Sequence, residues 1–326
     1  MKYLVTGSAG FIGYHLTKQP ATDGHQVIGV DVLNDYYDPR LKEKRNDILK
    51  AGSQYTFYKL DLADHAAIDK LVAETKPDQI IHLAAQAGVR YSLVDPWAYE
   101  QANVLGTLNV LEAAKNNNIK RVIFASSSSV YGANAKIPFA ETDMTDSPVS
   151  LYAATKKSCE AIAYAYHHLY GIEIAGLRLF TVYGEYYRPD MALFKFAKNI
   201  LSEKEIAVYN NGDMKRDFTH VADIVNGIGS AIKKEKLGFE IYNLGSDHPV
   251  ALEEVISLLE TSLGKKAIKK YLPMQPGDVK ITYADIDKAR AQLNFDPQMT
   301  IGRGIDEFGK WFVDNRDWLL ELADAK

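Results

Sequence analysis

The chain has 326 residues, 47% of them hydrophobic and 25% charged, with a formal net charge of −4. That length supplies ample core for one large or two medium domains. The mild acidity and the lack of a long basic block argue against nucleic acid as a partner. No apolar run approaches the roughly 18 residues that suggest a membrane span, so no membrane partner is expected. The N-terminus runs straight into a strand and a glycine turn, unlike a signal peptide. The single cysteine, Cys159, excludes an internal disulfide and fits a reducing compartment; the expected location is cytoplasmic.

In chain order, residues 2–6 read as a short buried strand. Gly7-Ser8-Ala9-Gly10-Phe11-Ile12-Gly13 follows, and then a helix. A strand, a glycine-rich turn and a helix start place backbone N–H groups where a pyrophosphate can sit. Gly7 suits the tight turn, Gly10 the close approach of phosphate, and Gly13 close helix–strand packing. With no Gly-Lys-Ser/Thr, the loop does not suit a nucleoside triphosphate. Pro20 predicts that this helix ends about a turn early. A second strand, residues 26–30, ends in Asp31, where an acidic residue would bind a ribose diol and repel a 2′-phosphate. No arginine precedes Arg40, which favours NAD over NADP.

Strands at 55–60, 79–83, 121–125 and 173–179 then alternate with helices at 63–75, 95–116 and 151–170. Apolar strands separated by amphipathic helices signal an α/β fold: a Rossmann-type, doubly wound parallel sheet with helices on both faces. Ligands of such sheets bind at the carboxyl ends of the strands. The glycine loop, Asp31, the Ala84-Ala85 turn and the serine run Ser126 to Ser129 all fall there. Beyond Thr181 the chain changes character, and residues 271–280, with Pro273, Pro276 and Gly277, read as loop. The expected division is a dinucleotide-binding domain over 1–180, rejoined by part of 219–250, and a smaller C-terminal substrate lobe within 181–326. Helices are expected at 221–234 and 252–263. The segment 306–324 reads as a helix with Trp311 and Trp318 turned inward. His167 and His168 lack metal-ligand spacing, and no metal is expected.

Tyr152 and Lys156 stand four apart in a helix-favouring stretch, so they share a face. An ammonium beside a phenol favours the phenolate, which suits proton transfer. Alone, the spacing equally describes a helix with its tyrosine in the core and its lysine in water.

Taken together, Gly7-x-x-Gly10-x-x-Gly13, His82-Leu83-Ala84-Ala85, the serines before Val130-Tyr131-Gly132, and Tyr152-x-x-x-Lys156 resemble the extended short-chain dehydrogenase/reductases. More narrowly the chain is similar to the UDP-glucuronate 4-epimerases, through residues 84–92, 126–133, 150–157 and 216–218 and Arg188-Pro189-Asp190-Met191-Ala192. The resemblance runs to about residue 310. It implies bound NAD, a UDP-sugar substrate, and reversible conversion of UDP-glucuronic acid to UDP-galacturonic acid by transient oxidation at carbon 4. It makes Tyr152 the proton-transfer residue, Lys156 its partner and holder of the nicotinamide ribose, and Ser127 the second hydroxyl. It assigns the cofactor to Gly7, Gly10, Phe11, Ile12, Gly13, Asp31, Asn34, Asp61, Leu62, Leu83, Ala84, Ala85, Gln86, Asn103 and Ser126, with Tyr152 and Lys156. It assigns the substrate to Arg90, Ser128, Ser129, Thr181, Arg188, Met191, Ala192, Val208, Tyr209, Asn210, Arg216 and Asp278.

Related dehydratases carry Asp-Glu, and decarboxylases Glu, just before Val-Tyr-Gly. Ser128 and Ser129 stand here instead and offer no acid–base pair for elimination. The stretch Glu185-Tyr186-Tyr187 departs from the proline-containing sequence usual in relatives, and Glu185 would repel a sugar carboxylate if it pointed inward. A homodimer through the helices at 95–116 and 151–170 is expected by analogy. The alternatives are an epimerase of neutral UDP-sugars (UDP-glucose and UDP-galactose) and a non-catalytic NAD-binding scaffold.

Overall fold

Strand β1 (Lys2–Thr6) lies inside a seven-stranded sheet, paired on one side with β2 (Gln26–Asp31) and on the other with β4 (Gln79–His82). Strands β3 (Tyr55–Lys59), β5 (Arg121–Ser127), β6 (Glu173–Leu179) and β10 (Phe239–Leu244) complete it, in the order β10-β6-β5-β4-β1-β2-β3, every pair parallel. The computed structural model describes residues 1–274 and 279–326, with residues 20–22 described as helix backbone only. Successive strand residues face opposite sides. Tyr3 and Val5 therefore enter one apolar core, while Leu4, Ile80 and Val122 enter the other.

Helices α1 (Phe11–Thr22), α2 (Pro39–Lys50), α3 (His65–Thr75) and the compound helix α4–α5 (Pro96–Tyr99, Gly106–Asn116) provide crossovers, as does α6 (Leu151–Tyr170). Local chemistry sets their ends. Asp38 caps α2 through the Arg40 N–H with Pro39 behind it, and Ser150 caps α6 through the Ala153 N–H at 3.1 Å. Gly171, in the left-handed region, ends α6.

Two expectations fail locally. Helix α1 runs on to Thr22 instead of stopping before Pro20. A proline in the last turn removes one ladder bond, and the packing of α1 on β2 and on α8 (Val221–Lys233) outweighs that loss. The span 95–116 is not one regular helix either, because Glu100–Leu105 is π-helical between α4 and α5. Such wide turns often mark functional sites.

The smaller lobe is built from β7 (Thr181–Tyr183), β8 (Glu205–Val208), β9 (Lys215–His220), β11 (Pro249–Ala251), β12 (Ile268–Tyr271) and β13 (Ile281–Thr282). Strand β9 carries β7, β11 and β13, and β8 pairs with β12. Helices α7 (Ala192–Leu201), α9 (Leu252–Leu263) and α10 (Asp287–Leu293) belong to this half in sequence. The expected helix over 306–324 is two: α11 (Ile301–Asp314) and α12 (Arg316–Leu320), broken at Asn315. Trp311 is buried, and Trp318 packs against the same core. After α8 the chain returns to the large sheet as β10. Of the loop expected over 271–280, Tyr271 ends β12, Leu272 to Met274 are irregular, and residues 275–278 lie outside the described residues. Among the described residues, no helix is long and apolar enough to cross a membrane.

Two histidines, one buried and one half-buried, give the fold a pH dependence. His15 bonds the Glu185 carbonyl at 2.9 Å; His82 sits between Thr6 Oγ1 at 2.7 Å and Thr107 Oγ1 at 3.0 Å. Burial pushes His15 down to about 4 and His82 down to about 3. An unfolded chain takes up these protons near pH 6.5. The stabilisation is thus complete above that pH and declines as pH falls toward the folded values. Each histidine should cost about 1–2 kcal/mol between pH 6.5 and 5. The melting temperature should drop over this range, and His82→Gln, whatever its stability at pH 7.5, should show a shallower decline.

Candidate active site

The cleft opens at the carboxyl ends of β1, β2, β4 and β5, between the sheet and the second lobe, with a volume of about 840 Å³. At its floor the Gly7 and Ser8 N–H groups bond the Val30 carbonyl at 2.7 and 3.2 Å, and Gly10 N bonds Gly7 O at 2.9 Å. Gly7 has φ +70°, and a Cβ there would lie 2.7 Å from Ala84 N; a Cβ on Gly13 would overlap the Gly7 carbonyl. Glycine is required at both. Asp31 ends β2 with Oδ1 fixed by the Leu33 N–H at 2.9 Å. A cradle that side chains would fill, followed by a carboxylate at the next strand end, fits a dinucleotide with an unphosphorylated ribose.

The candidate reacting groups stand on the opposite wall. Tyr152, Lys156 and Glu160 are spaced at one face of α6. Lys156 Nζ donates to the Ala125 carbonyl at 2.8 Å, and Ser126 Oγ donates to Glu160 at 2.6 Å, so β5 and α6 are joined twice. Ser127 lies between these joints and the start of a short 3-10 turn (Ser128–Tyr131), its Oγ accepting from Ser129 N at 3.1 Å. That bond leaves its O–H available to donate. Behind it, Glu160 makes a two-pronged buried pair with Arg178 at 2.9 and 2.8 Å, and Arg178 reaches the Tyr131 phenol at 3.0 Å. Burial alone would lower the Arg178 guanidinium, but Glu160 holds it above its ordinary value. Burial pushes Tyr131 up to about 12.

Asn103, in the π-helical turn, is buried behind the wall. Its side chain bonds Gln86 N at 2.8 Å, Gln86 O at 3.0 Å and Thr155 Oγ1 at 3.0 Å, tying the Ala84–Gln86 turn to α6. Cys159 is buried and donates to Asn103 O at 3.3 Å. His167 bonds the Ile172 carbonyl and His168 stacks on Tyr164. Among the described residues no His, Cys, Asp or Glu cluster is placed to hold a metal.

Of the residues singled out from sequence, the other glycine-loop residues, Asn34, Asp61, Leu62, Leu83 to Gln86 and all four serines line the cleft. So do Arg90, Thr181, Arg188, Met191, Ala192, Tyr209 and Arg216 from the substrate side. Arg90 lies 4.8 Å from the Tyr209 ring centroid. Val208 is instead in the core, and Asn210 turns its amide to the Asp213 carbonyl; neither is on the wall. Asp278 lies outside the described residues. Ser126 lines the cleft while its hydroxyl is engaged by Glu160.

Arg188 is not free-standing. It forms a two-pronged ion pair with Asp190, which also accepts from the Tyr36 hydroxyl at 3.2 Å. Glu185 does not line the cleft, so the repulsion considered for it does not arise. Burial, and then Glu307, raise its carboxyl. Sequence reasoning missed Tyr36, Asp190, Lys195 and Lys326 on the wall. The tyrosine pair five and six residues after Asp31 and the aspartate two residues after Arg188 were available signals.

A family model described as the NAD dependent epimerase/dehydratase family matches residues 3–245. The UDP-glucuronate 4-epimerase of Thermodesulfobacterium geofontis is 44% identical, covering 98% of each chain. Protein CapI of Staphylococcus aureus is 46% identical over 96% of this chain and 99% of its own. A crystal structure of UDP-glucuronic acid 4-epimerase from Bacillus cereus, in complex with UDP-glucuronic acid and NAD, superposes with a TM-score of 0.91 at 34% identity, covering 97% of this chain and 100% of that one.

Glu160→Gln leaves the buried Arg178 without its counter-charge. It should destabilise the fold by about 3–5 kcal/mol in urea unfolding, and adding Arg178→Met should recover much of that loss.

Proposed function

The chain belongs to the NAD-dependent epimerase/dehydratase family, and on that footing we propose that it interconverts UDP-glucuronic acid and UDP-galacturonic acid. The single observation that carries the reading is Tyr152, Lys156 and Ser127 on one wall of a dinucleotide-shaped cleft whose serine run lacks a carboxylate. When bound, NAD⁺ accepts a hydride from carbon 4 of the sugar and returns it to the other face.

Tyr152 takes the proton of the 4-hydroxyl and gives one back at the same oxygen. Ser127, its lone pair already used by Ser129 N–H, donates toward that oxygen as it gains carbonyl character. Lys156, tethered on Ala125 O, keeps a positive charge next to the tyrosine. Ser128 and Ser129 contribute no acid or base, so the keto sugar is not pushed toward elimination. Arg188, with its Nε and Nη2 engaged by Asp190, offers its remaining donors to the sugar carboxylate with Thr181 nearby. Arg90 and Arg216 serve the diphosphate side.

Purified, NAD-loaded protein should convert UDP-glucuronic acid to UDP-galacturonic acid with no net NADH. Tyr152→Phe should keep NAD and lose at least a thousandfold in turnover, whereas a scaffold would have no turnover to lose. Product separation from the 4-epimer followed by mass spectrometry decides it: unchanged substrate, or UDP-pentose with carbon dioxide, rejects the reading.

We also place the enzyme in the cytoplasm as a homodimer. Leu93, Val94 and Trp97 beside α4 are more than two-thirds exposed, and Tyr164, Leu169 and Tyr170 are exposed on α6. Apolar surface of this kind favours a protein contact. Light scattering should give twice the 36.4 kDa chain mass, and Trp97→Glu with Leu169→Glu should give monomer.

A further inference from the structure

Arg45, on α2, is fully buried, yet its Nη donors go to carbonyls and a phenol, and its Nε meets no acceptor among the described residues. Nη1 donates to Ala9 O at 3.1 Å and to the Tyr37 hydroxyl oxygen at 2.8 Å. Nη2 donates to Tyr186 O at 2.5 Å, with a longer contact to Tyr187 O at 3.5 Å. The Tyr37 ring centroid lies 5.8 Å from the same cation. Ala9 belongs to the glycine loop, and Tyr186 and Tyr187 immediately precede Arg188. One side chain thus spans the phosphate-facing turn and the loop that presents the sugar-side arginine.

Two further contacts hold that loop from the same side. His15 Nε2 bonds Glu185 O at 2.9 Å, and the Tyr36 hydroxyl bonds Asp190, the partner of Arg188. His15, Tyr36, Tyr37 and Arg45 all lie in the dinucleotide half of the chain. Tyr186 itself has φ +55°, a conformation that non-glycine residues adopt only when the surroundings impose it. Its carbonyl is the one Arg45 grips most closely. A buried guanidinium solvated only by neutral oxygens is costly, and an anion held over the glycine loop would supply its counter-charge.

We propose that Arg45 is a positioning residue that couples the dinucleotide loop to the loop presenting Arg188, so that cofactor binding and recognition of an acidic sugar reinforce each other. This rests on the reading of the protein as an NAD-dependent epimerase of UDP-glucuronic acid. Coupling of this kind is reciprocal: whatever the cofactor adds to sugar affinity, the sugar adds to cofactor affinity.

The test compares the full-length wild type with Arg45→Met and Tyr36→Phe, each checked for folding by circular dichroism. The readings are KM for UDP-glucuronic acid, the inhibition constant of UDP, which lacks the sugar carboxylate, and the dissociation constant of NAD by calorimetry. Arg45→Met should raise KM and the NAD constant at least tenfold each, with UDP inhibition within threefold. Tyr36→Phe, which cuts only the sugar-loop end, should raise KM at least threefold and leave NAD binding unchanged. If Arg45→Met does not fold, Arg45→Lys, which keeps the charge but loses the fork, takes its place and should raise KM at least threefold. A folded Arg45 variant with unchanged KM and NAD binding overturns the proposal. So does a parallel rise in KM and UDP inhibition, which would mark general loosening. A wild type that leaves UDP-glucuronic acid unchanged overturns the functional reading instead.

Discussion

Glu160 joins the helix that carries Tyr152 to the strand that ends in Ser127, and the residues proposed to react are placed relative to that joint. Its carboxylate has three donors: two from Arg178 and one from the Ser126 hydroxyl. A charge buried this deeply is tolerated only when every oxygen is met. The contact is therefore geometrically demanding, and it transmits that demand along α6. One turn away Lys156 is drawn to the Ala125 carbonyl, and one further turn away stands Tyr152. On the far side Asn103 ties the same helix, through Thr155, to the turn after β4. The proton exchange proposed for Tyr152 requires a position held to a fraction of an ångström, and a helix pinned on two faces supplies that.

The electrostatics of the cleft divide along the same line. The side proposed for the cofactor combines N–H groups of a glycine turn with the acidic residues Asp31 and Asp61. The substrate side collects Arg90, Arg188 and Arg216. Arg188 is already paired with Asp190, so the net charge it brings to the cavity is small. What the pair retains is a rigid guanidinium plane, so the proposed recognition of an acidic sugar by Arg188 depends on fit as much as on attraction.

Much of this was legible in the sequence because it is short-range. The glycine spacing, the aspartate at the end of β2, the serine run and the four-residue step from Tyr152 to Lys156 are each written within a dozen residues, and the parallel topology says which ends of the strands meet. What escaped depends on distant partners. Nothing near Arg45 announces that its fork will close on Ala9 and Tyr186, 36 and 141 positions away. The π-helical turn at Glu100–Leu105 carries Asn103, whose partners, Gln86 and Thr155, lie 17 and 52 positions away. Pro20 misled for the complementary reason: a local penalty is real, but tertiary packing can exceed it. Val208 shows the cost of reading a strand by adjacency, since it faces the core while Ala207 and Tyr209 reach the wall.

Strand β10 carries a consequence for how the molecule is assembled. It is the outermost strand of the large sheet, yet the chain reaches it only after laying down β7, α7, β8 and β9 of the second lobe. Until residues 239–244 arrive, β6 is left as an open edge, with unpaired N–H and C=O groups along a strand that is apolar and almost wholly buried in the finished fold. The two lobes are thus not interchangeable modules that could be separated at Thr181. A chain cut there would carry a sticky, incomplete sheet, and its completion during synthesis waits on a contact between segments some sixty-five residues apart, such as Ile174 and Phe239.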